Sequence, residues 1–210
     1  MKPVEVKAES ERIILALGGR ICDWLPHLDR TEPRASSEVA ERALVLHAML
    51  QIYFGAPADV IAAWIRANQL ESSLSRHERA LLTNESLTKQ ERIDLYWYIE
   101  ALWAMAWAGQ LTEDLAIDQP VGGILASLLP NLQVNEDGSG FRRRFSLRPF
   151  EEIYRMLDLH YRAHWYARDG QLNNYSTEPF NLDVIMERRR TLEWISDRKL
   201  ADWEDTPEST

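Results

Sequence analysis

The chain has 210 residues, of which 45% are hydrophobic and 27% charged. That is ample apolar material for one core and short for two ordinary domains, so a single folded domain is expected and general disorder is excluded. The formal net charge of −9 disfavours non-specific binding to nucleic acid or anionic lipid, because like charges repel.

In chain order, the first predicted helix runs from about Glu9 to Leu25 and stops before Pro26. Pro26 to Arg34 reads as a loop. Val39, Ala43, Leu46, His47, Leu50, Tyr53 and Phe54 recur at steps of three and four and predict a helix ended by Gly55. Pro57 opens the next helix, whose stripe is Val60, Ile61, Trp64 and Ile65, with Asn68 at its end. Ser75/Glu78 and Thr88/Glu91 both match the S/T-x-x-E capping box, and each starts a helix. The second of these is the most apolar of the chain and continues to Ala108, with Gly109 as its stop.

A short helix is expected over Pro120 to Leu129. Between about 133 and 147, turn formers precede the alternation Phe141, Arg143, Phe145, which leaves a small β-ribbon or a loop open. A long helix resumes at Pro149 and fades near Gly170 or Asn173, and a last helix spans Leu182 to Ile195. The acidic tail is 202–210. The expectation is an all-α single globular domain of about seven helices over residues 1–210.

Single features narrow the chemistry. The lone Cys22 allows neither an intrachain disulfide nor a paired-cysteine metal site and reads as a packed helix residue. The highly charged start, Met1 to Arg12, does not read as a secretion signal, and the apolar run Leu95–Ala108 is too short for a membrane span. A cytoplasmic location without membrane contact is therefore expected. Phosphate-loop, dinucleotide-binding and nucleophile-elbow motifs are missing.

Glu100 is the only charged side chain in Leu95–Ala108. A helix apolar on nearly all sides is central, so this carboxylate must be paired or protonated. Arg162, Arg168 and the Arg188–Arg190 triplet are available partners. Two readings follow: a structural ion pair, or a general base or ligand carboxylate with a shifted pKa. His160 and His164 share a helix face, a spacing that can hold a metal. They lack the inner glutamate of the zinc-protease motif, so no metal and no cofactor is assigned. Arg162 and Arg168 are about 240° apart around a helix, so only one of them points inward. His47 on its apolar face reads as a satisfied core histidine. The triplet Arg142–Arg144 lies in or beside a loop, where a phosphate contact is easier to host than on the fanned triplet 188–190.

Four blocks resemble a known family. They are Arg42–Met49 with Gly55-Ala-Pro57, Leu87–Ile93 with Trp97–Trp107, Leu147-Arg-Pro149 with Leu157–Trp165, and Val184–Trp194. Together they are similar to the bacterial domain-of-unknown-function family 4272, over about residues 35–203. The resemblance implies a helical fold and supplies no established activity or catalytic residue. It makes Glu100, His160, Arg162, His164 and Arg188 the positions to test first.

Two functions are compatible with the sequence. One is a non-enzymatic interaction protein, for example an immunity protein whose acidic face neutralises a basic bacterial toxin or effector. The alternative is an enzyme or small-ligand-binding domain built on Glu100, His160, Arg162, His164, Arg168 and Arg188. It requires a concave pocket with convergent polar groups.

Overall fold

The computed structural model describes residues 2–84 and 86–206 of the chain. Nine α-helices and three short 3-10 turns form among the described residues, with no strand. The helices are α1 Pro3–Ala16, α2 Ser36–Tyr53, α3 Ala58–Ala67, α4 Arg76–Leu81, α5 Lys89–Ala108, α6 Leu125–Leu128, α7 Ser139–Arg144, α8 Phe150–Asn173 and α9 Leu182–Ser196. The all-α expectation holds.

Neighbour packing runs α1–α8–α9–α5–α2–α3, so the helices form a continuous row in which α5 sits between α9 and α2. The main core joins α2, α5 and α9 through residues such as Leu44, Met49, Leu102, Trp103, Met105, Leu192 and Ile195. A second cluster joins α1 to α8 and α9 through Ile14, Ala163, Tyr166 and Ile185. No described helix is long and apolar enough to cross a membrane.

The capping boxes explain the sharp starts of α4 and α5. Ser75 Oγ accepts from the Glu78 amide, and Glu78 Oε2 accepts from the Ser75 amide at 2.8 Å. Thr88 and Glu91 repeat the exchange, with the Thr88 amide donating to Glu91 Oε2 at 2.6 Å. Such a cap is worth about 1 kcal/mol.

Three expectations need correction. The first helix starts at Pro3 and ends at Ala16, not Glu9–Leu25. Proline at the first helical position sacrifices no amide bond, so the charged start is helical. The helix ends where Gly18 takes a positive φ of 83°, a conformation glycine adopts without steric cost. Cys22 is therefore buried in a loop, packed with Leu25 and Tyr161, and is not on a helix. The segment 133–147 holds no ribbon. Instead α7 forms, because Phe141 and Phe145 are also four apart, which puts both rings on one helical side at 5.4 Å. The acidic tail is folded as far as it is described. Residues 203–205 form a 3-10 turn with Trp203 buried, and 207–210 lie outside the described residues.

Gly109 shows how tightly the end of α5 is set. The backbone after α7 docks here, with the Ser146 amide donating to the Gly109 carbonyl and the Arg148 amide to that of Ala108. A Cβ at Gly109 would fall 2.2 Å from the Phe145 ring, whereas one at Gly123 meets nothing. Gly109→Ala should lower unfolding free energy by about 1–3 kcal/mol, the range for core overpacking. Gly123→Ala should be near neutral. Urea denaturation of the two variants checks the difference.

Candidate functional site

The Glu100 carboxylate is buried and closed on all sides. From α9, Arg188 donates to Glu100 Oε2 through Nε at 2.9 Å and Nη2 at 2.8 Å. The other carboxylate oxygen accepts from the Val121 amide at 3.0 Å. Arg188 Nη1 donates to the Ala116 carbonyl at 2.7 Å. The guanidinium is fully buried and the carboxylate nearly so. The pair thus ties α5, α9 and the segment 116–121 together, with partners on both sides. Burial pulls the Arg188 pKa down and Glu100 opposes the shift.

His160 on α8 lies within the electrostatic reach of Arg188. Its Nδ1 bonds the Met156 carbonyl at 2.9 Å, and Nε2 is buried without a partner. Burial, with some repulsion from Arg188, lowers its pKa to about 3. His164 makes a different contact, Nδ1 to Arg189 Nη1 at 2.8 Å. Burial and the charges of Arg189 and Arg168 hold it at about 4. A neutral ring accepting from arginine fits both facts.

Arg162 points inward and pairs with Asp158 one turn earlier through two bonds of 2.9 Å, and also donates to the Pro26 carbonyl at 3.0 Å. Arg168 is exposed and bonds Gln171, as the helical spacing requires. The six candidate residues therefore fall into separate groups. Glu100 and Arg188 come together, with His160 only within electrostatic reach; Arg162 pairs with Asp158, His164 with Arg189, and Arg168 faces solvent. No cluster of three or more His, Cys, Asp or Glu suited to a metal occurs among the described residues.

A third buried ion pair escaped the sequence reading. Arg42 on α2 forms a bidentate pair with Glu78 on α4 at 2.7 and 2.8 Å and also donates to the Ser73 carbonyl. The visible signal was a pair of charges, Glu41 and Arg42, inside the otherwise apolar run 39–50, weaker than the single charge that marks Glu100. Its guanidinium stacks 4.8 Å above the Trp203 ring, and Arg34 stacks at 3.9 Å on Trp194. His47 lies in the core, with Nε2 2.8 Å from the Pro130 carbonyl and a pKa lowered by burial to about 4, but it is only half satisfied, since Nδ1 is buried without a partner.

The chain belongs to the family described as Domain of unknown function (DUF4272), whose model matches residues 7–206. The match extends the resemblance to α1 and the loop after it. No curated protein and no solved structure gives a significant match.

Two outcomes follow from the buried charges. Arg188→Met strands the Glu100 carboxylate and should cost about 3–5 kcal/mol in urea denaturation. Glu100→Leu combined with Arg188→Met removes both charges and should recover part of that loss, the remainder reflecting the Val121 amide and Ala116 carbonyl left without partners. The histidines set a pH dependence. Their folded pKa values, about 4 for His47 and about 3 for His160, lie below the unfolded value, so the unfolded chain binds protons first. Their contribution is full above about pH 6.5 and declines toward pH 4, by up to about 1.4 kcal/mol per pH unit for each histidine. Denaturation midpoints at pH 7.5, 6 and 5 should fall in that order, and His47→Gln should flatten the trend.

Proposed function

We propose that this chain is a cytoplasmic, non-enzymatic protein-binding domain that recognises a basic partner, in the manner of a bacterial immunity protein binding a toxin or secreted effector. The observation that carries the reading is an exposed aromatic face. Tyr53 and Phe54 at the end of α2 meet Tyr96 and Trp97 of α5, with successive ring centroids 5.1, 5.4 and 5.4 Å apart. Phe54 is 63% and Tyr96 42% exposed. Phe54 and the exposed Val60 also line a cavity of about 390 Å³ with Ile61, Trp64 and Leu132. Contiguous exposed aromatic surface of this kind marks interaction sites, because its burial is favourable and aromatic rings supply most binding hot spots.

Charge supports the basic partner. Among the described residues the buried charged side chains are five arginines against four carboxylates, so the interior does not account for the net charge of −9. An acidic exterior attracts a basic protein over distance and speeds association, while the aromatic face supplies the short-range contact.

The test is co-purification with the product of a toxin or effector gene encoded beside this one. A complex should form at micromolar concentration and weaken as salt rises. Phe54→Ala with Tyr96→Ala should weaken it by roughly tenfold or more, and thermal unfolding should change little, since both side chains are exposed. Absence of binding by the wild-type chain at micromolar concentration refutes the proposal.

A further inference from the structure

The aromatic face of α2 and α5 runs into a cavity of about 390 Å³ at the start of α3. Its floor is Ile61 and Trp64, 2% and 5% exposed, and its open walls are Phe54 and Val60, 63% and 55% exposed. Phe54 belongs both to this cavity and to the row of rings Tyr53, Tyr96 and Trp97, so the two form one surface. We infer that the cavity receives one large apolar side chain of a protein partner, a phenylalanine, leucine or methionine, with a lysine or arginine beside it in the partner's sequence. This anchor presupposes the protein-binding reading above and names what the partner must present.

The cavity is formed before anything enters it. The Trp64 indole N–H donates to the Glu136 carbonyl at 2.9 Å, which fixes the ring at the floor and ties the 132–136 turn to α3. Between α2 and α3 the Gly55 amide donates to the Ile52 carbonyl at 3.0 Å and the Ala56 amide to the Gln51 carbonyl at 2.9 Å. A site already in its binding shape loses little free energy to ordering. Its openness selects a side chain over a free small molecule. Small-ligand sites enclose most of the ligand surface, and two walls that are themselves more than half exposed cannot do so. A side chain carried on a covering protein surface closes the site from above, while the neighbouring rings exclude water around it.

Charge selects what flanks the anchor. No charged side chain lines the cavity, so the group that enters is itself uncharged. Its borders are acidic. Asp59 precedes Val60 in the first turn of α3, Glu136 follows Asn135, and both are exposed. Glu136 accepts from the Asn131 amide through Oε2 at 2.8 Å. The basic residues of α3 and of the ring side of α5 are Arg66, which is 3.7 Å from Glu71, and Arg92, one turn before Tyr96; neither lines the cavity. A cation next to the anchor meets Asp59 or Glu136, and the amides of Gln51, Gln133 and Asn135 on the lining can bond the partner's backbone.

The Trp64 indole N–H resonance reports on the cavity floor. The full chain, labelled with nitrogen-15, is titrated with N-acetyl-Gly-Lys-Phe-Lys-Gly-amide, with the same peptide carrying Ala for Phe, with the same peptide carrying Glu for both Lys, and with toluene. The Lys-Phe-Lys peptide should shift the Trp64 peak saturably and bind roughly tenfold tighter than the alanine peptide, which has no ring to bury. It should bind about fivefold or more tighter than the Glu-Phe-Glu peptide. Val60→Gln should weaken it by about fivefold. Asp59→Asn with Glu136→Gln should cut the preference for lysine over glutamate by about threefold or more. Both positions are exposed and glutamine still accepts from Asn131, so the fold is kept; if the pair fails to fold, Asp59→Asn alone makes the comparison. Equal binding of the alanine peptide overturns the apolar anchor. Equal binding of the Glu-Phe-Glu peptide, or an unchanged preference in the carboxylate variant, overturns the cationic neighbour. Toluene binding as tightly as the peptide overturns the assignment to a partner side chain. An unmoved affinity in Val60→Gln, or no saturable shift up to about 10 mM, overturns the site. Failure of the peptides while the complex with the neighbouring gene's product forms removes the anchor and leaves the protein-binding reading; selective peptide binding without that complex does the reverse.

Discussion

The buried pair of Glu100 and Arg188 is the interaction on which this fold depends. It sits where α5 and α9 pack, and its outer valences go to backbone groups at Val121 and Ala116. Two charges in a low-dielectric core are costly to desolvate, and their attraction offsets that cost only when the geometry is good and the remaining hydrogen bonds are made. Here both conditions are met. The segment 116–121 has no helix or strand of its own apart from turns, so the pair is also what fixes its path across the core. The apolar contacts around it are numerous but non-directional. The pair supplies register, since sliding α9 by one residue along α5 would separate Arg188 from its carboxylate.

The same device recurs on either side of the α5–α9 contact. Arg42 and Glu78 tie α2 to α4, and Arg162 with Asp158 holds α8 to the Pro26 loop. Each buried guanidinium uses part of its fork on a carboxylate and part on a backbone carbonyl. Arginine suits this role better than lysine, because its planar donors can serve two acceptors at once. Tryptophan adds a third surface: Trp194 and Trp203 carry stacked guanidinium groups, and their own rings meet edge to face at 5.6 Å. Stacking of this kind stabilises a weakly hydrated cation where water is excluded.

Much of this was legible in the sequence wherever the determining physics is local. The capping boxes placed the starts of α4 and α5 to the residue, and the three- and four-residue spacing placed α2. Glu100 stood out because a single charge in an otherwise apolar run has to be answered somewhere. The partner could be narrowed to a few arginines but not chosen, since the choice depends on how α9 packs against α5, which no local pattern encodes. Glu78 shows the opposite limit. Its role in a capping box accounted for the residue fully at the local level, and its second role, as the buried partner of Arg42, stayed hidden. α1 was displaced because its amphipathic signal is weak and the glycines that end it lie inside the range the pattern suggested. Trp203 was obscured by its acidic neighbours, whose composition reads as solvated tail although the ring is buried.

The distribution of charge bears on what such a fold is for. The interior holds slightly more positive than negative side chains, an arrangement that makes the exterior more acidic than composition alone indicates. Three of the interior arginines, Arg42, Arg162 and Arg188, are matched to buried carboxylates through short, geometrically fixed bonds, so these pairs add little to the long-range field felt outside. The fold therefore separates two electrostatic tasks that a uniformly mixed sequence would confuse. Paired charges inside specify how the helices meet, and the excess of carboxylates outside sets the sign of the surrounding field. On the reading proposed above, a basic partner drawn by that field is held by contacts that salt does not screen, the exposed aromatic rings at one end of α2.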